Sequence, residues 1–184
     1  MANIREHDIM ETFFGLTGAL ATGYDVVDLF NVLAVRTAQL LDIAAVGLLL
    51  ADARGTLHVA AASSTDSRHL ETFQVQQAEG PCLDCHASGE PVLVPDLEQQ
   101  RKRWPRFVPA AHEAGFFSVH ALPMRLQDTT LGAMGLFGAA TGSLNAQDLQ
   151  LGQALADVAS VAITQDRAAS DRSLFIDQLQ HAEQ

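Results

Sequence analysis

Residues 117–126, FSVHALPMRL, and residues 131–138, LGAMGLFG, decide the fold of this 184-residue chain. Both runs are apolar and compatible with strands, and the polar tetrapeptide QDTT separates them, so the sequence predicts a β-hairpin. Apolar side chains fall on both faces of each strand, so other elements must cover the sheet on both sides. Gly132, Gly135 and Gly138 leave gaps in the side-chain layer, where a helix or a ligand can approach the backbone.

The composition limits the class of protein. A chain of 184 residues is long enough for one domain with a single buried core. Its 22 acidic and 11 basic side chains give a formal net charge of -11, which repels nucleic acid and anionic membranes. The sequence shows neither a signal-peptide pattern nor an apolar run of bilayer-spanning length. We therefore expect a cytosolic protein whose two cysteines are free thiols.

Two helices and a second hairpin are predicted before the central hairpin. Apolar residues at helical spacing predict a first helix over residues 6–20. Asp25 is a good N-cap for a second helix that runs to about Leu41. The apolar runs 44–50 and 56–61 are separated by a turn sequence and predict two paired strands.

A helical cover is predicted between the two hairpins. It consists of short helices over residues 67–77 and 82–88, a fifth strand at 92–94, and a helical piece over 104–114. We expect the section 79–115 to lie on one face of the sheet and to close back onto the central hairpin.

The C-terminal part predicts one long helix. Between residues 145 and 180 there is no proline and Gly152 is the only glycine, so a helix of about 36 residues capped by Asn145 is expected. A seven-residue apolar repeat predicts that this helix first packs on the core and then leaves the domain as a parallel dimer helix. The alternative is an ordinary amphipathic helix with a frayed end. The repeat consists of Leu151, Leu155, Val158, Ala162, Gln165, Ala169, Arg172, Ile176 and Leu179.

The segment 82–86, CLDCH, matches the C-x-x-C-H pattern to which haem is covalently attached. That attachment takes place outside the cytosol, so the absence of an export signal argues against covalent haem. A structural zinc site would need a second pair of ligands, and no such pair is recognisable. Cys82 follows Pro81 at a predicted helix start, where backbone N–H groups would lower the thiol pKa, so Cys82 and Cys85 are redox candidates. Buried, unreactive cysteines are the commoner alternative.

Several other side chains are candidates for a ligand pocket. His120, in the middle of the central strand, could bind non-covalent haem or hydrogen-bond a ligand, although a core histidine is the more usual finding. The aromatic residues could line a pocket or belong to the core. No catalytic motif is present, so we expect no enzyme activity and no metal. The pocket candidates are Cys82, Trp104, Phe107, Phe117, His120 and Met134.

Three segments together resemble the GAF domain family. Residues 115–124, GFFSVHALPM, resemble its G-x-x-S-x-x-A-x-P-L strand, and residues 131–137, LGAMGLF, resemble the partner strand L-G-x-L-x-L-F/Y. Residues 89–97, GEPVLVPDL, resemble the edge strand G-x-P-V-x-V-x-D, and a closing helix over 148–163 also fits. The resemblance covers about residues 27–180.

Two further segments resemble a narrower group. Residues 79–82, EGPC, and 104–107, WPRF, are similar to the GAF halves of actinobacterial regulators that carry an RNA-binding ANTAR output domain. The ANTAR helices are absent from this sequence. The cyclic-nucleotide signature N-K-x-x-x-F-x-x-x-D-E and the cysteine that bilin-binding GAF domains keep before the central strand are missing too. GAF enzymes that reduce methionine sulfoxide use more cysteines than the two present here.

The resemblance implies an α+β fold of the GAF, profilin or PAS kind. It has an antiparallel sheet of five or six strands, with terminal helices on one face and a helical cover and a pocket on the other. The resemblance divides the chain into an N-terminal helix of a dimer bundle (1–24), the GAF domain (25–164) and a signalling helix (165–184).

The resemblance also implies a function. We expect a cytoplasmic homodimer that binds an unidentified, non-covalent small ligand and relays a signal through its terminal helices to an output domain or partner, including RNA-binding antitermination and thus transcription regulation. No direct contact with nucleic acid or membrane is expected. The alternatives are a ligand-free dimerisation scaffold and a haem- or thiol-based sensor of gas or redox state.

Overall fold

The computed structural model describes the backbone of residues 2–182 and their side chains apart from those of residues 2–3, 171–175 and 182. Helices and strands follow one another in the order that the sequence predicts, with one added 3₁₀ helix. In chain order the elements are α1 (Ala2–Thr22), α2 (Val26–Leu41), β1 (Ala45–Ala51), β2 (Leu57–Ala62), α3 (Thr65–Gln77), α4 (Pro81–Ser88), β3 (Val92–Val94), the 3₁₀ helix (Leu97–Gln100), α5 (Phe107–Glu113), β4 (Ser118–Leu126), β5 (Thr129–Gly138) and α6 (Ala146–Ala182).

The five strands form one antiparallel sheet in the order β2-β1-β5-β4-β3. The predicted central hairpin is confirmed, and β5 is the middle strand of the sheet. Its turn is shorter than expected because Thr129 and Thr130 belong to β5, which leaves Gln127 and Asp128 between the strands. Gln127 takes the left-handed conformation, with φ of 54°, that such a short connection requires.

Both faces of the sheet are buried, as predicted. Leu122 and Met134 pack among side chains of α2 and α6, whereas Val119 and Phe137 pack among side chains of α5 and the segment before it. This division follows from the two-residue period of a strand, which sends neighbouring side chains to opposite faces. We call the first face the bundle face and the second the cover face.

The bundle face carries α2 and α6, and α1 packs on α2. The Asp25 carboxylate accepts hydrogen bonds from the backbone N–H groups of Val27 and Asp28, at 2.9 and 3.1 Å, which confirms the predicted N-cap. Asn145 caps α6 in the same way, because its side-chain oxygen accepts from the N–H of Asp148 at 2.8 Å.

The C-terminal helix α6 has 37 residues. Leu155, Ala159 and Ala162 of its first half are buried against the sheet and α2, while Ile176 and Leu179 near its end are 54 % and 51 % exposed. Of the predicted heptad positions, Arg172 has a side chain outside the described part of the structure. In the described part of the chain, α6 and the other helices all lack the combination of length and apolarity that crossing a bilayer demands.

The cover face carries α3, α4 and α5. The helical piece predicted over 104–114 begins only at Phe107, because the Glu79 carboxylate accepts from the backbone N–H groups of Arg106 and Phe107, at 2.7 and 2.9 Å, and caps α5 there. The sequence analysis missed the 3₁₀ helix, which Asp96 initiates by accepting from the N–H of Glu98 at 3.1 Å.

Candidate functional site

A buried chain of polar groups lies between the cover helices and the sheet. The backbone N–H of Cys82 donates to Gln74 Oε1 at 2.9 Å, and Gln74 Nε2 donates to Glu71 Oε1 at 2.6 Å. Glu71, Gln74 and Cys82 are each 0 % exposed. Among the described residues, Glu71 Oε2 has no hydrogen-bond partner. This site, which we call the Glu71 cluster, therefore holds a carboxyl group away from water with one oxygen unsatisfied.

Burial controls the charge of the Glu71 cluster. It raises the pKa of Glu71 from 4.5 to about 7, because a buried carboxylate loses its hydration, and hydrogen bonds from Cys82 and Gln74 offset only part of the effect. The carboxyl group is therefore neutral in mildly acidic solution and acquires its charge near neutrality.

Two strand glycines make room for the Glu71 cluster. A Cβ atom at Gly135 would lie 2.9 Å from Cys82 Sγ and 3.3 Å from Glu71 Oε1, and a Cβ atom at Gly47 would lie 2.5 Å from Glu71 Cγ. Both distances to carbon and sulfur are shorter than van der Waals contact. The gap predicted at Gly135 is thus occupied by helix α4, which brings Cys82 against the sheet.

The two thiols are buried, and the predicted lowering of the Cys82 pKa is wrong. Loss of hydration raises that pKa well above its usual value, and the neighbouring Glu71 carboxylate adds to the effect. Burial also raises the pKa of Cys85 to about 12. The backbone N–H of Cys82, which was expected to stabilise a thiolate, donates to Gln74 instead. Neither thiol therefore resembles the exposed, electropositive thiols that respond to oxidants.

We expect slow alkylation of Cys82 and Cys85 in the folded protein. At about pH 8, iodoacetamide should modify both thiols at least roughly a hundredfold more slowly in native protein than in urea, because the reactive thiolate is suppressed and shielded. Intact mass spectrometry measures the adducts, and the unfolded sample is the control. Rapid native labelling of either cysteine would contradict the burial argument.

Helix α4 and the segment before α5 are joined by a second set of polar contacts. Trp104 Nε1 donates to the Asp84 carboxylate at 3.1 Å, and the Arg103 guanidinium pairs with the same carboxylate at 2.9 Å while lying 4.5 Å from the Trp104 ring centroid. Trp104 and Phe107 meet edge to face at 6.3 Å and are 2 % and 0 % exposed. These aromatic side chains fill the cover face rather than line an open pocket.

The six predicted pocket residues do not come together. Cys82, Trp104 and Phe107 lie under the cover. Phe117 is 38 % exposed and stacks on His112 at 5.0 Å, so the prediction that it lines a pocket under the cover is corrected. His120 and Met134 point to the bundle face, because each lies an odd number of residues from the cover-facing positions of its strand. The notion of a single pocket under the cover is therefore wrong for these three residues.

The hydrogen bonds of His120 determine what its ring can do. The backbone N–H of Val94 donates to Nδ1 at 3.2 Å, so in the neutral ring Nε2 carries the proton. Burial lowers the pKa of His120, and a contact of the ring with the backbone of Gly142 offsets part of this shift. A protonated Nε2 has no lone pair for iron, which argues against His120 as a haem ligand. Among the described residues, no three His, Cys, Asp or Glu side chains are grouped to hold a metal ion.

Sequence analysis missed Glu71 and Gln74. Ser67, Leu70, Glu71 and Gln74 are the buried residues of α3 and have the i, i+3, i+4, i+7 spacing of one helix face. Three of the four are polar, so a search for apolar periodicity passes over this face. A polar set at core spacing, in a helix facing glycine-containing strands, was the available signal.

The fold is shared with solved GAF domains. The GAF domain of an Acinetobacter phosphoenolpyruvate-protein phosphotransferase is 13 % identical, with 91 % of this chain and 97 % of that chain covered and a TM-score of 0.70. The free methionine-R-sulfoxide reductase of Neisseria meningitidis is 16 % identical, with 88 % and 91 % covered and a TM-score of 0.67. The phycocyanobilin-bound GAF domain of a cyanobacterial phytochrome is 16 % identical, with 90 % and 96 % covered and a TM-score of 0.64.

The family assignment comes from the sequence itself. No curated protein matches the chain significantly. The family model of the GAF domain, however, matches residues 24–164, which span α2 to β5 and the first half of α6. GAF domains act as sensory and regulatory modules that bind small ligands. The chain therefore belongs to the GAF domain family.

Proposed function

We propose that the chain is a cytosolic, non-enzymatic sensory module that dimerises through its terminal helices and passes a small-molecule signal to an output domain or partner. The course of α6 carries this proposal. Its first half is fixed to the sheet by Leu155 and Ala159, and its last turns expose Ile176 and Leu179. A displacement at the sheet would therefore travel along one continuous helix to an apolar surface that is free to bind.

The occupant that we propose for the bundle surface is a second copy of the chain. Met10, Phe14, Val32 and Val35 of α1 and α2 are 57 %, 70 %, 50 % and 42 % exposed, and a groove of about 410 Å³ separates the two helices. Apolar exposure on two adjacent helices fits a symmetric bundle in which each copy covers the other.

Phe14→Glu is expected to convert a dimer into a monomer. The wild type should sediment as a dimer at a concentration on the order of tens of micromolar, and the charged variant should weaken association at least roughly a hundredfold, because a carboxylate would be buried against apolar side chains. Analytical ultracentrifugation measures both.

The matched control is Leu126→Glu, which places the same charge on an exposed leucine at the end of β4, next to the β4–β5 turn. This variant should remain a dimer. A monomeric wild type, or equal weakening by both substitutions, would refute dimerisation through the bundle helices.

The output that we propose is an RNA-binding antitermination domain or partner, which would make the module a transcription regulator. The resemblance of two segments, 79–82 and 104–107, to ANTAR-linked GAF domains supports this output. The two segments meet in the structure, where Glu79 caps α5 at Phe107. RNA would contact the output and not this chain, whose net charge is -11. A mobility-shift experiment with the chain alone should therefore show no RNA binding.

A ligand-free dimerisation scaffold is the second candidate function, and the packing of the cover face favours it. Cys82, Trp104 and Phe107 are 0 %, 2 % and 0 % exposed, so the face where the resemblance places a pocket is filled by the chain's own side chains. Native mass spectrometry separates the two candidates. A dimer that retains an added mass supports sensing, whereas a dimer at the bare polypeptide mass supports the scaffold. A Soret band in the absorption spectrum of the purified protein would restore the haem alternative.

A further inference from the structure

The connection between α3 and α4 depends on the side chain of Gln74. Its Oε1 accepts the hydrogen bond that the backbone N–H of Cys82 donates at 2.9 Å in the first turn of α4. Gly80, the N-cap of α4, has no side chain that could accept such a bond, and a Cβ atom there would clash with the Gln74 amide. Gln74 therefore replaces the missing N-cap. We call residues 78–82 the α3–α4 joint.

The backbone of the α3–α4 joint is strained. Ala78, the C-cap of α3, has φ of 53°, in the left-handed region that a Cβ atom disfavours. Gly80 has φ of 145°, which few other residues adopt. Such a segment stays in place only while its contacts outweigh the strain, so the joint depends on its contact with Gln74.

Gln74 is held in turn by Glu71. Gln74 Nε2 donates to Glu71 Oε1 at 2.6 Å, while Glu71 Oε2 has no partner among the described residues. A neutral carboxyl group tolerates this buried position. An ionised one would keep a charge away from water with one oxygen unpaired, which is costly. Ionisation of Glu71 therefore favours a rearrangement that brings water to the carboxylate.

The groups that face Glu71 do not offset this charge. The thiols of Cys82 and Cys85 on α4 stay neutral near neutral pH, because burial raises the pKa of both. The sheet presents Gly47 of β1 and Gly135 of β5, and neither strand contains a titratable residue. The other titratable side chains of α3 and of the elements packed on it are half-buried or exposed. They are Asp66, Arg68 and His69 of α3, His58 of β2, Asp84 and His86 of α4, and His112 and Glu113 of α5.

Two contacts hold the joint and α4 to the segment around α5 without involving Glu71. The Glu79 carboxylate accepts from the backbone N–H of Phe107 at 2.9 Å, and the Asp84 carboxylate accepts from Trp104 Nε1 at 3.1 Å. Because these contacts do not depend on the charge of Glu71, the inner contact of the joint with α3 and the sheet can open while α4 stays attached.

We propose that the α3–α4 joint is a pH-dependent switch, in which Gln74 holds the start of α4 on the sheet while Glu71 is protonated, and the joint opens to water when Glu71 ionises. The switch goes beyond the proposed function, because it requires neither a second copy of the chain nor a ligand. Because the pKa of Glu71 is about 7, the change takes place between mildly acidic and neutral solution.

The position of the joint connects the switch to the bundle face. Cys82 Sγ lies against Gly135 of β5. Met134 and Leu136, the neighbours of Gly135 in that strand, pack on the bundle face among side chains of α2 and α6. Opening of the joint therefore removes a contact from the strand that supports both of these helices.

The first test is hydrogen exchange of the wild type as a function of pH. The backbone amides of Cys82 and Asp84 report on the joint, since they donate to Gln74 and to the carbonyl of Gly80, and NMR measures their exchange relative to the intrinsic rate at each pH. Between pH 4.5 and about 7 the closed joint retains a proton that the open joint has released. The opening equilibrium should therefore rise roughly fiftyfold from about pH 5 to about pH 8 and level off above about pH 7. The amides of β5 should remain at least about tenfold better protected at every pH.

The second test is Glu71→Gln, which keeps the size of the side chain and cannot ionise. The amides of its joint should have the same protection at about pH 5 and about pH 8, close to that of the wild type at the lower pH. Asp66→Asn, which removes an exposed carboxyl group from the same helix, is the matched control and should follow the wild type.

Three results would each overturn the switch. They are protection of the Cys82 and Asp84 amides that does not change with pH, an equal change in Glu71→Gln, and exchange of the joint and β5 amides at one common rate, which means global unfolding. The pH profile of the wild type decides even if a variant fails to fold. Sedimentation of the same samples tests the proposed dimer separately. A dimer whose joint stays closed retains the bundle without the switch, and a monomer whose joint opens retains the switch without the bundle.

Discussion

Glu71→Gln is expected to make the protein more stable than the wild type above about pH 7, by about 1–3 kcal/mol, and to remove much of the loss of stability that the wild type suffers as the pH rises. A glutamine keeps the size of the side chain and still accepts the hydrogen bond that Gln74 donates at 2.6 Å. It removes the charge that the buried site opposes.

The direction in which stability changes with pH follows from the raised pKa of Glu71. Folding raises this pKa from 4.5 to about 7, so between these values the folded protein keeps a proton that the unfolded chain has lost. The stability associated with that proton is fully present below pH 4.5 and is lost as the pH rises through about 7. A shift of this size corresponds to roughly 3 kcal/mol, and the donors that a glutamine leaves unpaired reduce the net gain.

Urea denaturation at about pH 5 and about pH 8.5 measures this difference. Trp104 is the only tryptophan in the chain and is 2 % exposed, so its fluorescence reports unfolding directly. His120, whose pKa burial lowers, is present in both proteins and cancels in the comparison. Asp66→Asn is the matched control, because it removes an exposed carboxyl group from the same helix.

A difference between wild type and Glu71→Gln that is the same at both pH values would contradict the raised pKa. It would mean that the carboxyl group has a partner or water that stabilises its charge in the folded state. A pH-dependent gain in Asp66→Asn of equal size would show that surface charge, and not the Glu71 cluster, controls the pH response.

The fold could be predicted because its determinants are local. Two apolar runs and a polar turn predicted the central hairpin. The N-caps at Asp25 and Asn145 could be predicted from single residues, whose side chains accept hydrogen bonds from backbone N–H groups of the first helical turn. The start of α5 could not be read this way. The carboxylate of Glu79 fixes it from 28 residues away, and such a tertiary contact has no signature in the local sequence.

The candidate sites were harder to predict for a related reason. Sequence reasoning grouped His120 and Met134 with Cys82 by residue type, but strand alternation sends them to the other face of the sheet. It also expected a helix start to lower the Cys82 pKa, because it could not see that the Cys82 side chain is buried and that Glu71 lies beside the thiol. Burial and neighbours determine a pKa, and both depend on long-range packing.

Gly132→Ala is expected to destabilise the protein by about 3 kcal/mol or more, and to prevent folding if the strands cannot separate locally. A Cβ atom at this position would lie 1.9 Å from the backbone carbonyl oxygen of Leu49 in the neighbouring strand. A flexible side chain could move away from such a contact, but the carbonyl belongs to the β1–β5 ladder, in which Gly132 pairs with Leu50. Relief would therefore require a change in the sheet itself.

Gly18→Ala is the matched control for Gly132→Ala. Apart from its chain neighbours and the backbone of its own helix, no atom of the described residues lies within 4 Å of a Cβ built at Gly18. The residue is in the interior of α1, so alanine should stabilise the protein by about 0.5–1 kcal/mol through its higher helix propensity. Urea denaturation followed by Trp104 fluorescence compares the two variants. A loss of stability smaller than about 1 kcal/mol in Gly132→Ala would show that β1 and β5 can separate there. The strand glycines would then be tolerated gaps in the side-chain layer, and the close approach of the neighbouring backbone and of helix α4 would not require them.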